Sequence, residues 1–359
     1  VYHAVDTNLD GTPTGDAMTL TSYTGQPVRP HPGILQFLPA LRVGYAQAPL
    51  DGLLADGDVL AVIGFGDGAP AAHADPRYLR VALQSDGPAQ FEVWRGSGQV
   101  RNVTSSALRW CEDDDYAFGV LELSEAQHGG LAATAEAAYR MLGAHLAASA
   151  MSHPLRIWNY LDAINLGEGD AERYREFCSG RAAGMRGLFA PGYPTATAIG
   201  VRDGRRVLQV YWLAARAPGQ AVENPRQTNA WRYPRQYGPD APNFARAMRA
   251  PTQSTQVYLS GTAAIVGHAS RHEDDFPAQV RETLANIESV LTAADVAPGA
   301  HFGTRAMIKA YVRREQDLAA ARELLGAGVT AHTPLLLLRG DICRSELLIE
   351  IDGVQGTVG

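Results

Sequence analysis

Cysteine is scarce in this chain. Three occur in 359 residues, Cys111, Cys178 and Cys343, odd in number and far apart. That excludes a disulfide framework and a cysteine-rich metal knuckle, and it fits a reducing cytoplasm. No run of 18 apolar residues exists, so no membrane span is expected. No basic stretch followed by an apolar core opens the chain, so no signal peptide is expected. Charged residues are only 19%, and 31 Lys+Arg against 38 Asp+Glu leave a net charge of −7. Nucleic-acid binding needs a basic footprint that this balance does not supply, although a local basic pocket for a small anion stays open. A P-loop, a Gly-x-Ser-x-Gly elbow and a His-Glu-x-x-His pattern are all missing. Gly64-Phe65-Gly66-Asp67-Gly68 lacks the last spacing of a dinucleotide fingerprint and reads as a tight turn. His268 and His272 stand four apart without a third ligand at a familiar offset. The acidic run Glu273-Asp274-Asp275 suits the positive end of the helix expected to follow it. No metal and no cofactor are expected.

What is present is core-forming material. Hydrophobic residues are 46% of the chain, enough for about two average domains. The first hundred residues read as irregular chain over 1–35, then short strands with no long helix. Leu131 to Ala150, Ala171 to Met185, Pro277 to Ala293 and Gln316 to Leu325 carry helical spacing. Residues 155–161, 306–313, 334–338 and 346–351 read as strands. The order helix, loop, strand occurs around 131–161 and again around 277–313, which points to an internal duplication. These patterns predict an α+β fold of mixed and antiparallel sheets packed by helices. They place a strand-rich N-terminal domain over 1–125 and a larger catalytic domain over 126–359. Within the latter, 217–250 is rich in Pro, Arg and Tyr, and a connector of that length reads as a binding loop.

Two stretches stand out chemically. Over 223–246, Arg, Tyr and Trp alternate with stiffening Pro. Such a loop is either ordinary exposed surface or a lining for a small anion, since guanidinium forks grip carboxylates and Tyr hydroxyls orient oxygens. In the last strand Glu350 lies between Ile349 and Ile351 and shares a face with Leu348 and Glu346 by period two. That face is either solvated or carries a buried general acid.

Several strings resemble the chorismatases. They are Arg156-Ile157-Trp158-Asn159-Tyr160, Glu223-Asn224-Pro225, Trp231-Arg232-Tyr233-Pro234-Arg235-Gln236-Tyr237-Gly238-Pro239 and Phe244-Ala245-Arg246-Ala247. Further along are Ser260-Gly261-Thr262-Ala263, Tyr311-Val312-Arg313-Arg314, Asp341-Ile342-Cys343-Arg344 and Leu348-Ile349-Glu350. The resemblance covers residues 110–353. It implies a catalytic part similar to the YjgF/RidA and trimeric chorismate mutase-like fold. One chain would hold related modules, as a monomer with a pseudo-oligomeric core or as a small homo-oligomer.

The resemblance also implies chorismate as the small-molecule substrate and loss of pyruvate without metal or cofactor. Glu350 falls on the family's acidic residue, and Gly261 with Cys343 resembles the branch that makes 3-hydroxybenzoate. A branch making 3- and 4-hydroxybenzoate, and one hydrolysing chorismate to a dihydrodiol acid, stay open, as does a regulatory anion-binding domain without catalysis. Two substrate carboxylates call for cationic grips. Arg246 and Arg313 lead, Arg156 and Arg235 follow, and Tyr160 and Tyr233 are the expected orienters.

Overall fold

Apolar runs buried on both faces supply the central strands, and the stretches of helical period supply the helices that cover them. The computed structural model describes residues 37–87, 91–104, 108–189 and 192–357. The irregular stretch expected over 1–35 lies outside them.

The elements come in three rounds. The first holds β1 (Arg42–Ala46), the short helix α1 (Leu50–Leu54), β2 (Val59–Phe65), β3 (Tyr78–Val81), β4 (Gln84–Ser85) and β5 (Phe91–Arg95). The second opens with β6 (Arg101–Thr104), β7 (Leu108–Glu112), β8 (Tyr116–Ser124) and α2 (Glu125–His128). It continues with α3 (Leu131–Ala148), β9 (His153–Asp162), α4 (Arg173–Gly184), β10 (Thr195–Val201) and β11 (Val207–Ala215). The third opens with β12 (Gln220–Val222), β13 (Ala247–Arg249), β14 (Val257–Ala263) and a small ribbon, β15 (Ile265–Val266) with β16 (Ala269–Ser270). It closes with α5 (Phe276–Ala293), β17 (Ala306–Val312), α6 (Leu318–Leu325), β18 (Leu335–Arg339) and β19 (Ile349–Gln355).

Each round makes one sheet, and the strand order repeats. The third sheet reads β12-β13-β14-β19-β17-β18 with β4 added at its far edge, the second β6-β7-β8-β11-β9-β10, and the first β1-β5-β2-β3. In each, the inner strand and its neighbour (β17 with β18, β9 with β10, β2 with β3) run parallel. The other neighbours run antiparallel. In the two larger sheets a helix makes the crossover that a parallel pair requires.

One face of each sheet packs on its own helices. Leu50, Leu53 and Leu54 do so in the first, Leu142 and Phe177 in the second, and Ile287 and Leu291 in the third. The opposite faces share one core that draws Phe65 and Trp94, Trp158 and Tyr211, and Tyr258 and Tyr311 together. This sets an α+β fold of mixed sheets. The helix–loop–strand order expected at 131–161 and 277–313 is present as α3–β9 and α5–β17. The first round escapes notice because its helix is five residues long.

Two expectations need correction. No division of the described chain falls at residue 125. Residues 37–359 form one unit, and β8, which ends at Ser124, pairs along its length with β11. The last strand begins at Ile349, so Glu346 and Leu348 precede it. The acidic run before α5 behaves as expected at Asp275, whose side chain accepts from the Ala278 N–H at 2.9 Å and caps the helix.

Candidate active site

Glu350 enters the structure with its direction fixed by β19. Ile349 and Ile351 pack against the helices of the third round, so the strand's period of two turns Glu350 and Asp352 to the other face. There Glu350 meets a cavity of about 310 Å³, within the range of small-molecule sites. The walls come from two rounds. α4 and β10 of the second contribute Tyr174, Arg181 and Thr197. The third contributes Gly261, Cys343, Arg344 and Glu350, with Tyr233 and Arg246 from the loop between β12 and β13.

Gly261 has a local reason to be glycine. The pairing of β14 with β19 shifts register between Leu259 and Thr262, a bulge that bends the strand beside the site. A Cβ at Gly261 would collide with Oε1 of Glu350 and press on Thr197. The missing side chain is therefore the space that the acid occupies.

Burial is the main influence on Glu350, and the nearby Asp352 charge acts with it. Together they push the carboxyl up to about 8, against the pull of Arg156, Arg246 and Arg313. It accepts no hydrogen bond from any described residue. Burial likewise raises the Cys343 thiol far above its ordinary value, so it stays protonated and is a poor nucleophile.

Two guanidiniums are open. Arg246 is 3% exposed and lies over the Phe244 and Tyr233 rings. Its Nη2 donates to the Thr228 carbonyl at 2.9 Å and the Tyr233 hydroxyl at 2.7 Å, while Nε has no partner. Arg181 is equally buried and sits over Tyr139. Its Nε and Nη2 both lack partners, an expensive state unless an anion joins them. Arg181 reaches the cavity because Gly180 and Gly184 let α4 press onto α3, where a Cβ at Gly180 would strike the Ala132 carbonyl. Arg344 lies 3.9 Å from the Tyr237 ring centroid and donates to the His268 carbonyl at 2.9 Å. Among the described residues, no group of three or more His, Cys, Asp or Glu could hold a metal ion.

A family model described as chorismatase FkbO/Hyg5-like, N-terminal, matches residues 92–214. A 3-hydroxybenzoate synthase of Streptomyces hygroscopicus is 33% identical over 314 residues, covering 83% of this chain and 91% of that protein. The chain belongs to the chorismatase family. A chorismatase of Streptomyces rapamycinicus is 32% identical, covering 80% of this chain and 88% of its own. A chorismatase crystal structure matches with a TM-score of 0.76 and 32% identity, covering 89% of this chain and 98% of that one.

Within this chorismatase, the cavity gathers Gly261, Cys343, Glu350, Tyr233 and Arg246 from the residues expected on sequence. Four others lie elsewhere. Arg156 is buried behind Thr197, ion-paired to Asp352 at 3.0 Å. Tyr160 is in the shared core, bonded to Tyr211 and Tyr311. Arg235 is on the surface with Asp170. Arg313 is fully engaged, with Asn165, Asp341 and the carbonyls of Leu347, Ile342 and Arg344, and it ties down the loop that carries Cys343. Sequence reasoning missed Arg181, Tyr174 and Arg344. The pair of glycines four apart around Arg181 was the available signal, since it marks a close helix contact.

Proposed function

We propose that this chorismatase converts chorismate to 3-hydroxybenzoate and pyruvate, with Glu350 as general acid. The observation that carries the reading is a buried carboxyl, accepting no hydrogen bond from a described residue, in a cavity with two guanidiniums that have free donors. A carboxyl at its ordinary value would need about 3.7 kcal/mol to hold a proton at pH 7. A midpoint near 8 removes that penalty.

Glu350 donates its proton to the enol methylene, and the resulting oxocarbenium weakens the C3–O bond. The C4 hydroxyl attacks C3 as pyruvate departs, which forms an arene oxide, and the hydroxyl proton returns to the Glu350 carboxylate. Ring opening leaves oxygen on C3, a hydride moves from C3 to C4, and loss of a C4 proton gives the phenol. No atom enters from water, so the two products account for the whole substrate. Arg181 and Arg246 hold the two carboxylates, and Tyr233 orients Arg246. Gly261 leaves room for acid and ring, and Cys343 shapes the pocket. The three rounds of sheet are read as copies of one ancestral module related to the YjgF/RidA and trimeric chorismate mutase-like fold, on the strength of the repeated strand order.

Incubation with chorismate in the presence of a chelator, with coupled pyruvate detection, tests the reading. One pyruvate per chorismate consumed is expected. No release, or release abolished by the chelator, overturns it.

A further inference from the structure

The cavity's acid has a buried neighbour that the reaction scheme leaves idle. Glu350 and Asp352 stand on the same face of β19, two residues apart, which places their backbones about 7 Å from one another. Their surroundings are opposite. Oδ2 of Asp352 accepts from the Thr197 and Tyr311 hydroxyls, each at 3.0 Å, and is ion-paired with Nη2 of Arg156 at 3.0 Å, while Oδ1 lies 3.8 Å from Nζ of Lys309. Lys309 also binds Glu92 at 2.6 Å, and Glu92 accepts from the Trp94 indole at 2.8 Å. Two cations and two carboxylates therefore close a neutral set that gives Glu350 no hydrogen bond, with Nη1 of Arg156 left without a partner among the described residues.

We propose that Asp352 is a positioning residue of the reaction, which engages Thr197, Tyr311, Arg156 and Lys309 and so leaves the proton on Glu350. Two carboxyls with separated surroundings divide into one that carries charge and one that carries the acid proton. Their shared neighbour is Thr197. Its hydroxyl points at Asp352, and its Oγ1 also borders the Gly261 gap that Glu350 fills.

The other charges around Glu350 do not supply a partner. Arg156 belongs to Asp352, Arg313 to Asp341, and Arg344 to Tyr237 and the His268 carbonyl. Glu346, on the loop before β19, accepts from Ser270, and Glu223 lies beside Arg246. Cys343 and Tyr174 face the acid as neutral groups. Arg181 and Arg246 keep free donors, and a dianionic substrate would occupy them, so the complex holds the Glu350 proton more firmly than the free enzyme.

This inference rests on Glu350 being the acid, and the experiment keeps the two apart. Carbon-13 NMR titration of the full chain, labelled at Glu carboxyls, reads the Glu350 proton directly, with E350Q as the assignment. The wild-type Glu350 carbon should titrate near pH 8. A Glu350 carbon that titrates in the ordinary carboxylate range overturns the proposal without need of a variant.

In D352N the Glu350 midpoint should fall by at least about one unit, and the alkaline limb of kcat/KM should fall with it. The charge-balanced D352N/K309M provides the same reading if the single variant is poorly folded. An unmoved Glu350 midpoint in either folded variant overturns the proposal. Failure of the acid reading looks different: E350Q would keep releasing pyruvate while the Glu350 midpoint still followed Asp352.

Discussion

Glu350 makes its predictions through its proton. Its folded midpoint is raised from 4.5 to about 8, so the folded chain binds this proton more tightly than the unfolded one. That stabilisation is complete below the unfolded value and is lost as pH rises through the folded value. Glu350→Gln should therefore gain on the wild type as pH rises from about 4.5 to 8, by up to about 5 kcal/mol, in urea unfolding at fixed pH. The same variant should fold and keep much of its ligand affinity, yet lose turnover by at least about a hundredfold, the usual scale of a lost general acid. Near-normal pyruvate release by folded E350Q would remove Glu350 from its role.

Product choice also belongs to single residues. Gly261→Ala would press its methyl on Glu350 itself, and Cys343→Ala would remove a thiol from the same wall. The double variant should slow turnover and divert flux toward the dihydrodiol, because displacing the acid and loosening the ring admits water. A shift of this kind needs only about 1–3 kcal/mol between competing transition states. Chromatography of products from one chorismate stock measures it, and an unchanged product ratio would show that neither residue governs the choice.

At the scale of elements, α4 carries the argument. Gly180 and Gly184 face the Ala132 and Glu136 carbonyls of α3, so the two helices touch backbone to backbone. Alanine at Gly180 should destabilise the chain by about 1–3 kcal/mol through overpacking. Lifting α4 also withdraws Arg181 from the cavity. KM should then rise more than kcat falls, and Arg181→Lys should reproduce the KM effect without the stability loss, because charge is kept and the fork is not. Equal effects on both kinetic constants would show that α4 acts on chemistry rather than on grip.

For the whole molecule, the buried charges are the cross-links. Lys309 of the third sheet pairs with Glu92 of the first, and Arg156 of the second pairs with Asp352 of the third, all within the shared core. Lys309→Met strips a cation from two buried carboxylates and should cost about 3–5 kcal/mol, read from urea midpoints. Adding Glu92→Gln should recover part of that loss, since the change then removes both charges of the tightest pair. A single variant as stable as wild type would mean that the three sheets are held by apolar contact alone.

By itself the sequence determined the elements and the family. Helices α3, α4 and α5 follow from 3.6-residue spacing within a residue or two of their ends, and β17 and β9 from short apolar runs, because local periodicity decides which face is buried. Strings such as Trp231 to Pro239 carried the family, and Glu350 was legible because a charged residue between two isoleucines must face away from them. Only the tertiary structure decided which arginines are free. Arg313 and Arg156 look identical to Arg181 and Arg246 in a sequence, yet the first two form ion pairs with distant carboxylates, Asp341 and Asp352, and the last two form none within 4 Å among the described residues. Gly261 is legible as a glycine but not as the space for an acid 89 residues later, and the strand order that recurs in the first sheet is hidden by the shortness of α1. Partner choice among like charges is set by long-range packing, which no local pattern records.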